Sequence, residues 1–505
     1  MSLAIVHSRA QVGVDAPAVT VEVHLSGGLP ALSIVGLPET AVKESRERVR
    51  SALINAGFKF PQRRITINLA PADLPKAGGR YDLAIAVGIL AASQQIPADG
   101  LSAQEFIGEL ALSGQLRPVK GVLPAAMQCV AAGRSLVLAQ GNQEEAGLLR
   151  DLLIYPAQDL LQVVAHLAGS ELIPVFQPVP VSDLHPPVYP DLMDVKGQGK
   201  AKRMLEIAAA GQHNLILAGP PGSGKSMLAN RLPGLLPEMD ESERLKVAAV
   251  YSVAGTPEDQ PQGQRPFRAP HHTASAVALV GGGSLPGPGE ISLAHQGVLF
   301  LDELPEFSRK VLEVLREPME SGEILISRAA RQCRFPARFQ LVAAMNPCPC
   351  GYFNDGSDRC RCSPDRVRRY QDKISGPLLD RIDMQLWVNA ISKTEMLQDY
   401  GVCETSEQIR ERVVLARQRQ LLRQGCCNQR LEGRELERQC QISDTDKLML
   451  VNALERMQLS ARAFHRILRV ARSIADLAGQ EQIVSAHLLE ALSYRRGLIP
   501  APASV

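Results

Sequence analysis

The sequence predicts an α/β chain in three parts: a mixed α/β front, a core built on a parallel sheet, and a helical C-terminal part. Three observations predict it. An apolar strand, Asn214 to Ala218, runs directly into a glycine-rich loop and then a helical pattern, the strand–loop–helix order of a parallel sheet. The segment Ile173 to Tyr189 is too rich in proline for a long helix and reads as an extended connection. Beyond Ile391 the patterns are mainly helical. A length of 505 residues exceeds what one core usually holds. The expected division is residues 1–172, a linker at 173–190, a core at 191–390 and a helical domain at 391–505.

In the first part, Val19 to Leu25 alternates apolar and polar residues as a half-buried strand. Ser26, Gly27 and Gly28 form a turn, and Ala31 to Val35 follows as the expected partner strand. Thr40 to Ala56 has helical periodicity and stops at Gly57. Arg64 to Leu69 is another alternating strand, Tyr81 to Ser93 a mostly buried helix, and Ser135 to Ala139 a later strand. In the last part, Thr405 and Gln408 resemble a capping box ahead of Ile409 to Arg423, with further helices at Ser460 to Leu477 and Ser485 to Tyr494.

Composition narrows the function classes. Hydrophobic residues are 45% and charged residues 21%, as in ordinary globular domains. The N-terminus lacks a secretory pattern, and the most apolar stretch, Leu83 to Ala92, is too short to span a bilayer. No membrane association and a cytoplasmic location are expected, with the ten cysteines mostly reduced. The net charge is +2, so contact with nucleic acid must come from a local basic patch. Aromatics, at 4%, are too few for extended base stacking.

The glycine-rich loop reads Gly219, Pro220, Pro221, Gly222, Ser223, Gly224, Lys225, Ser226, and Met227 to Leu232 continues as a helix. Its glycines let the backbone approach phosphates and aim N–H groups at them. Lys225 supplies a cation for the β- and γ-phosphates, and Ser226 a hydroxyl for Mg²⁺, so ATP and Mg²⁺ are the expected cofactors. The apolar strand Gly297 to Glu303 ends in two acids: Asp302 to hold Mg²⁺ through water, Glu303 to polarise the attacking water. The strand Gln340 to Met345 ends at Asn346, whose amide is placed to orient that water or touch the γ-phosphate.

These motifs in this order resemble the AAA+ superfamily, in the branch of magnesium-chelatase motor subunits and MCM helicases. Ser375 to Asp383 (SGPLLDRID) resembles the segment that carries the arginine finger, which makes Arg381 the finger. The alternative for Arg381 is a surface ion pair with Asp380 or Asp383. Ser460 to Ile474 resembles the sensor 2 helix of the lid, where Arg462 takes the place of its arginine. A finger acts in trans, so the resemblance implies a ring, a homo-hexamer. The front part resembles a degenerate Lon-protease-like domain. Arg80 stands where the nucleophilic Ser would be and Leu123 where the Lys would be; Lys76 and Lys120 lie nearby without aligning. Peptide hydrolysis has no nucleophile there.

A Lon-like front, an AAA+ P-loop core and a C-terminal helical lid form the pattern of the ComM (YifB) family. The resemblance runs from Ala4 to about Leu498. It implies an ATP-dependent hexameric DNA helicase that promotes branch migration in natural transformation, with recombination proteins as possible partners.

Directly after Asn346, Cys348, Cys350, Cys360 and Cys362 form two C-x-C pairs. Four thiolates could close a structural Zn²⁺ site; four free cysteines in a loop are the alternative. Such a site could also present Arg359 and Arg361 to DNA. His271 and His272 read as polar surface. The expected hairpin Ile324 to Phe335 carries Arg328, Arg331 and Arg334, with Arg328 and Arg331 nearest its tip for phosphate contact; a merely solvated hairpin is the alternative. The glycine-rich Val280 to Glu290 matches a second pore-directed insertion but lacks cations. Two other functions compete: a chelatase-like motor that remodels a protein, and an ATP-dependent protease, which Arg80 and Leu123 disfavour.

Overall fold

The computed structural model describes residues 2–178, 189–259, 263–283, 286–328, 331–390 and 403–495. Most of the proline-rich segment lies outside them. Its first residues still pack on the N-terminal domain: Ile173 is buried there, and the Phe176 N–H donates to the Ile154 carbonyl at 2.9 Å.

The N-terminal domain is a seven-stranded mixed sheet. Its strands are β1 (Leu3–Arg9), β2 (Ala18–Ser26), β3 (Ala31–Val35), β4 (Arg64–Ala70), β5 (Gln104–Ile107), β6 (Ser135–Ala139) and β7 (Ile154–Ala157), in the order β3-β4-β2-β1-β5-β6-β7. The β2–β3 hairpin expected from the sequence does not form. β4 lies antiparallel to β2 and takes the place beside it, while β3 runs parallel to β4. The reason is the intervening helix α1 (Thr40–Asn55), which returns the chain for a parallel pairing. Helix α2 (Asp82–Ala92) is buried at all eleven residues, between the sheet and its neighbours. Helix α3 (Val122–Ala131) carries Leu123 as its second residue.

The core has a five-stranded, all-parallel sheet. Helix α4 (Gly199–Gly211) leads to β8 (Leu215–Ala218), and α5 (Lys225–Ala229) follows the loop. It ends earlier than the expected Met227 to Leu232 helix, because the chain tightens into a 3₁₀ turn at Leu232–Leu235 around Pro233. Then come α6 (Glu241–Ala254), β9 (Phe267–Arg268), β10 (Val298–Leu301), α7 (Arg316–Ser321), the hairpin β11 (Glu323–Arg328) and β12 (Arg331–Pro336), β13 (Gln340–Met345), α8 (Pro364–Gln371) and β14 (Met384–Trp387). The sheet order is β9-β10-β13-β8-β14, which places β8 and β10 on either side of β13. Their C-terminal ends therefore meet at one edge, where ligands bind in parallel sheets.

The lid comprises α9 (Ser406–Gln424), α10 (Asp444–Arg456), α11 (Ala461–Leu477) and α12 (Ser485–Ser493). Thr405 and Gln408 form the capping box. The lid shares one apolar cluster with α4 and β8, so it is continuous with the core. Among the described residues no helix is long and apolar enough to cross a membrane.

Among the described residues, contacts that include the following seat the N-terminal domain on the core. The Gly121 N–H donates to the Ser252 carbonyl at 3.0 Å, and the Leu123 N–H lies 3.3 Å from Ser252 Oγ, joining α3 to α6. Val12 and Val14 pack into the apolar cluster that includes Phe335 of the hairpin.

Candidate functional site

The loop Gly219 to Ser226 leaves β8 at the centre of the parallel sheet and enters α5. Gly219 has no room for a side chain: a Cβ there would lie 2.1 Å from the Val388 carbonyl oxygen. Lys225 is buried and donates from Nζ to the carbonyls of Gly219 (2.8 Å) and Pro220 (2.9 Å). It also reaches Asn346 Oδ1, at 3.2 Å. Burial lowers the Lys225 ammonium to about 8, against the opposing pull of Asp302. Ser226 Oγ donates to Asp302 Oδ2 at 2.6 Å, so a hydroxyl and a carboxylate stand together as ligands for a hard divalent cation. Asp302 Oδ1 also accepts the Glu303 N–H, at 2.9 Å.

Glu303 adopts φ +52, a left-handed conformation unusual for a residue with a side chain. Its Oε2 lies 3.2 Å from His272 Nδ1. His272, read as polar surface, is partly exposed and lies beside Glu303, two residues beyond β10. Sequence spacing carried no signal for this contact, which closes over thirty-one positions of chain. Gln198 was missed as well. It donates to the carbonyls of Ser223 (3.3 Å) and Asn389 (2.8 Å), which braces the loop from outside.

Lys225, Ser226, Asp302, Glu303 and Asn346 thus stand around the C-terminal ends of β8, β10 and β13. Arg381 and Arg462 form no hydrogen bond or ion pair with them in the single chain. Arg381 Nη2 lies 2.5 Å from Glu320 Oε1, so its partner is neither Asp380 nor Asp383. Asp383 is engaged elsewhere. It accepts from the Asn214 N–H (2.9 Å) and from Arg466 Nη1 (2.7 Å). Burial works against its charge, but Arg466 and His213 hold its carboxyl below the ordinary value. Arg462 is exposed in the first turn of α11. On the same helix Arg466, one turn further along, does reach the core, at the Arg381 carbonyl and Asp383; its spacing from Arg462 was the available signal.

The four thiols of Cys348, Cys350, Cys360 and Cys362 lie within 4.8 Å of one another. Sγ of Cys348 is 3.3 Å from that of Cys350 and 3.9 Å from that of Cys360; Cys350 and Cys360 are 3.6 Å apart. A tetrahedron with Zn–S bonds of about 2.3 Å has edges of about 3.8 Å, so the set fits a closed zinc site. The knuckle leans on the phosphate loop: Gly351, at φ +86, would place a Cβ 2.6 Å from Pro221 Cγ.

The hairpin pairs Glu323 with Pro336 at its root and Arg328 with Arg331 at its far end. The side chains of Arg328 and Arg331 lie outside the described set. Arg334 is exposed along β12. The Val280 to Glu290 insertion forms a minimal ladder of Gly281–Gly282 with Gly287–Pro288.

In the N-terminal domain Arg80 reaches the turn that leads into α3. Arg80 Nη2 donates to the carbonyls of Lys120 (2.6 Å) and Gly121 (3.2 Å), at the entrance of the helix that carries Leu123. Both Arg80 and Leu123 are buried. Lys76 is also buried, and its ammonium is spent on the Pro71 carbonyl.

Residues 191–396 match the family described as magnesium chelatase, subunit ChlI, and residues 403–495 match its C-terminal counterpart. Residues 21–142 match the family described as subunit ChlI of Mg-chelatase. The chain is 54% identical over 499 residues to the competence protein ComM of Haemophilus influenzae, covering 98% of each. It is 50% identical over 496 residues to the YifB protein of Escherichia coli K12, covering 98% of this chain and 97% of that one. The magnesium-chelatase 38 kDa subunit of Rhodobacter capsulatus is 30% identical over 179 residues, which is 32% of this chain and 51% of that subunit.

Proposed function

Since the chain belongs to the ComM (YifB) family of magnesium-chelatase-like AAA+ proteins, we propose that it is an ATP-driven DNA motor. In this reading a homo-hexamer hydrolyses ATP and drives branch migration of recombination intermediates during natural transformation, alongside recombination proteins. The observation that carries it is the meeting of Lys225, Ser226, Asp302, Glu303 and Asn346 at one sheet edge, in a core that also projects an arginine-ended hairpin.

The chain's own residues supply each step. Loop N–H groups and Lys225 bind the phosphates, the ammonium exchanging two carbonyls for phosphate oxygens. Ser226 and Asp302 would hold Mg²⁺, which would offset the charge that develops on the phosphates. Glu303 orients and polarises water, and Asn346 steadies the γ-phosphate side. Arg381 acts on a neighbour's nucleotide, and Arg462 closes on the nucleotide from the lid. Arg328 and Arg331 contact the DNA backbone, which suits a motor because phosphates carry no sequence information. Zinc, when bound by the four cysteines, holds the loop after Asn346 in shape.

The similarity to a magnesium-chelatase subunit favours a second reading, a motor that remodels a protein partner. Incubating purified protein with ATP, Mg²⁺ and a labelled Holliday-type junction separates the two, beside a Lys225→Ala control. Junction movement that requires ATP and Lys225 supports the DNA motor. ATP hydrolysis without strand displacement or junction movement leaves the remodelling reading standing.

A further inference from the structure

One carboxylate ties Arg381 to the root of the hairpin. Glu320 is the fifth of six residues in α7, and its Oε1 lies 2.5 Å from Arg381 Nη2. Only Ser321 and Gly322 separate it from Glu323, the first residue of β11. Gly322 turns the chain at φ +72, and its carbonyl accepts the Ala337 N–H at 2.8 Å, which closes the hairpin base. Any tilt of the hairpin is therefore felt within a few bonds by Glu320. The far end of the hairpin, where Arg328 pairs with Arg331, stands five residue steps away, about 17 Å at 3.4 Å per residue.

The remaining hold on Arg381 is partial. Its Nη1 donates to the Pro377 carbonyl at 2.8 Å, while its buried Nε has no partner among the described residues. The Arg381 side chain is 9% exposed and the Glu320 side chain 57%. The acid thus reaches in from the surface and covers the charge. A guanidinium so paired has much of its charge offset, and the fork that would grip a phosphate is already occupied by a carboxylate. The acid that holds it lies beside a structure whose far end carries two arginines. The exposed partner is the one that has to move: Glu320, 57% exposed, can leave for water, so a shift of the hairpin root is enough to break the pair.

We propose that Glu320 is a positioning residue that holds Arg381 back within its own subunit, and that engagement of the hairpin by nucleic-acid phosphate draws Glu320 away and frees Arg381 for the neighbouring subunit's nucleotide. The inference rests on the reading of Arg381 as trans-acting. It gives the motor a reason to idle: each subunit withholds the group its neighbour needs until the hairpin is loaded.

The test uses the full-length chain as wild type, Glu320→Gln, Glu320→Asp and Arg381→Ala. Steady-state ATP hydrolysis is measured with and without a single-stranded oligonucleotide, together with binding of a fluorescent ATP analogue and sedimentation for assembly. Glu320→Gln is expected to raise the DNA-free rate by about fivefold, the population shift that a half-exposed ion pair can hold, and to bring the DNA-stimulation ratio toward unity. Glu320→Asp, which keeps the charge on a shorter arm, is expected to fall between. A Glu320→Gln protein that assembles and binds nucleotide but keeps the wild-type DNA-free rate and ratio, or hydrolyses more slowly, overturns the proposal. Hydrolysis at the wild-type rate by assembled Arg381→Ala overturns the trans-acting reading itself. If DNA does not stimulate the wild type, the DNA-motor reading falls, and the DNA-free rate of Glu320→Gln alone decides whether Glu320 restrains Arg381.

Discussion

Arg80 in the N-terminal domain and Lys225 in the motor core both rest on main-chain carbonyl oxygens. Arg80 donates to those of Lys120 and Gly121, Lys225 to those of Gly219 and Pro220. Their surroundings differ. The Lys225 ammonium also reaches Asn346 and feels the charge of Asp302, and the loop around it has N–H groups that can take over a bound anion. Its carbonyl contacts are exchangeable. Arg80 is enclosed, and the carbonyls it holds belong to the turn that docks on Ser252 of the motor. Its contacts serve the joint. A cation at the end of a helix-bearing loop becomes catalytic only where a better partner can replace the one it has.

Substitution separates the two roles. Lys225→Ala should cut ATP hydrolysis by at least ~10²-fold, the usual cost of removing a preorganised electrostatic group, with the unfolding midpoint little changed. Steady-state hydrolysis and thermal melting check it; an active Lys225→Ala protein breaks the comparison. Arg80→Ala should do the reverse. It leaves two carbonyls without a donor and opens a void, at a cost of about 2–4 kcal/mol in urea denaturation, while nucleotide binding persists. Loss of nucleotide binding at unchanged stability would place Arg80 in the motor's chemistry. The smallest effect concerns pH. Because burial brings the Lys225 ammonium to about 8, its charge is lost as pH rises through that value in the nucleotide-free chain. Affinity for a fluorescent ATP analogue should fall above that pH by up to about tenfold per unit, and Lys225→Arg should flatten the profile.

The parts of the site that were legible in the sequence are those whose chemistry is contiguous. Eight consecutive residues specify the phosphate loop, and Thr405 with Gln408 specify a cap, because both structures close over a few bonds. The two C-x-C pairs belong with these: twelve positions separate Cys348 from Cys360, and their thiols converge. What the sequence hid depends on tertiary approach. β3 was assigned to β2 because they are neighbours in the chain, yet α1 carries β3 to β4. Arg381 had two acids beside it in sequence and took neither, since Asp383 was already held by Arg466 and the Asn214 N–H. His272 had no pattern to mark it, and only the folding of β9 beside β10 brings it to Glu303.

The Arg80 clamp also limits what positions 80 and 123 can carry. A serine at position 80 alone would lose the donor for Lys120 and Gly121 and leave space unfilled. A lysine at position 123 alone would bring an amine into the buried place of Leu123, next to Ser252. Each substitution alone is expected to be destabilising, and neither supplies a nucleophile together with its base. A nucleophile and its base at these two positions would therefore need both substitutions at once, each made against the packing that seats this domain on Ser252.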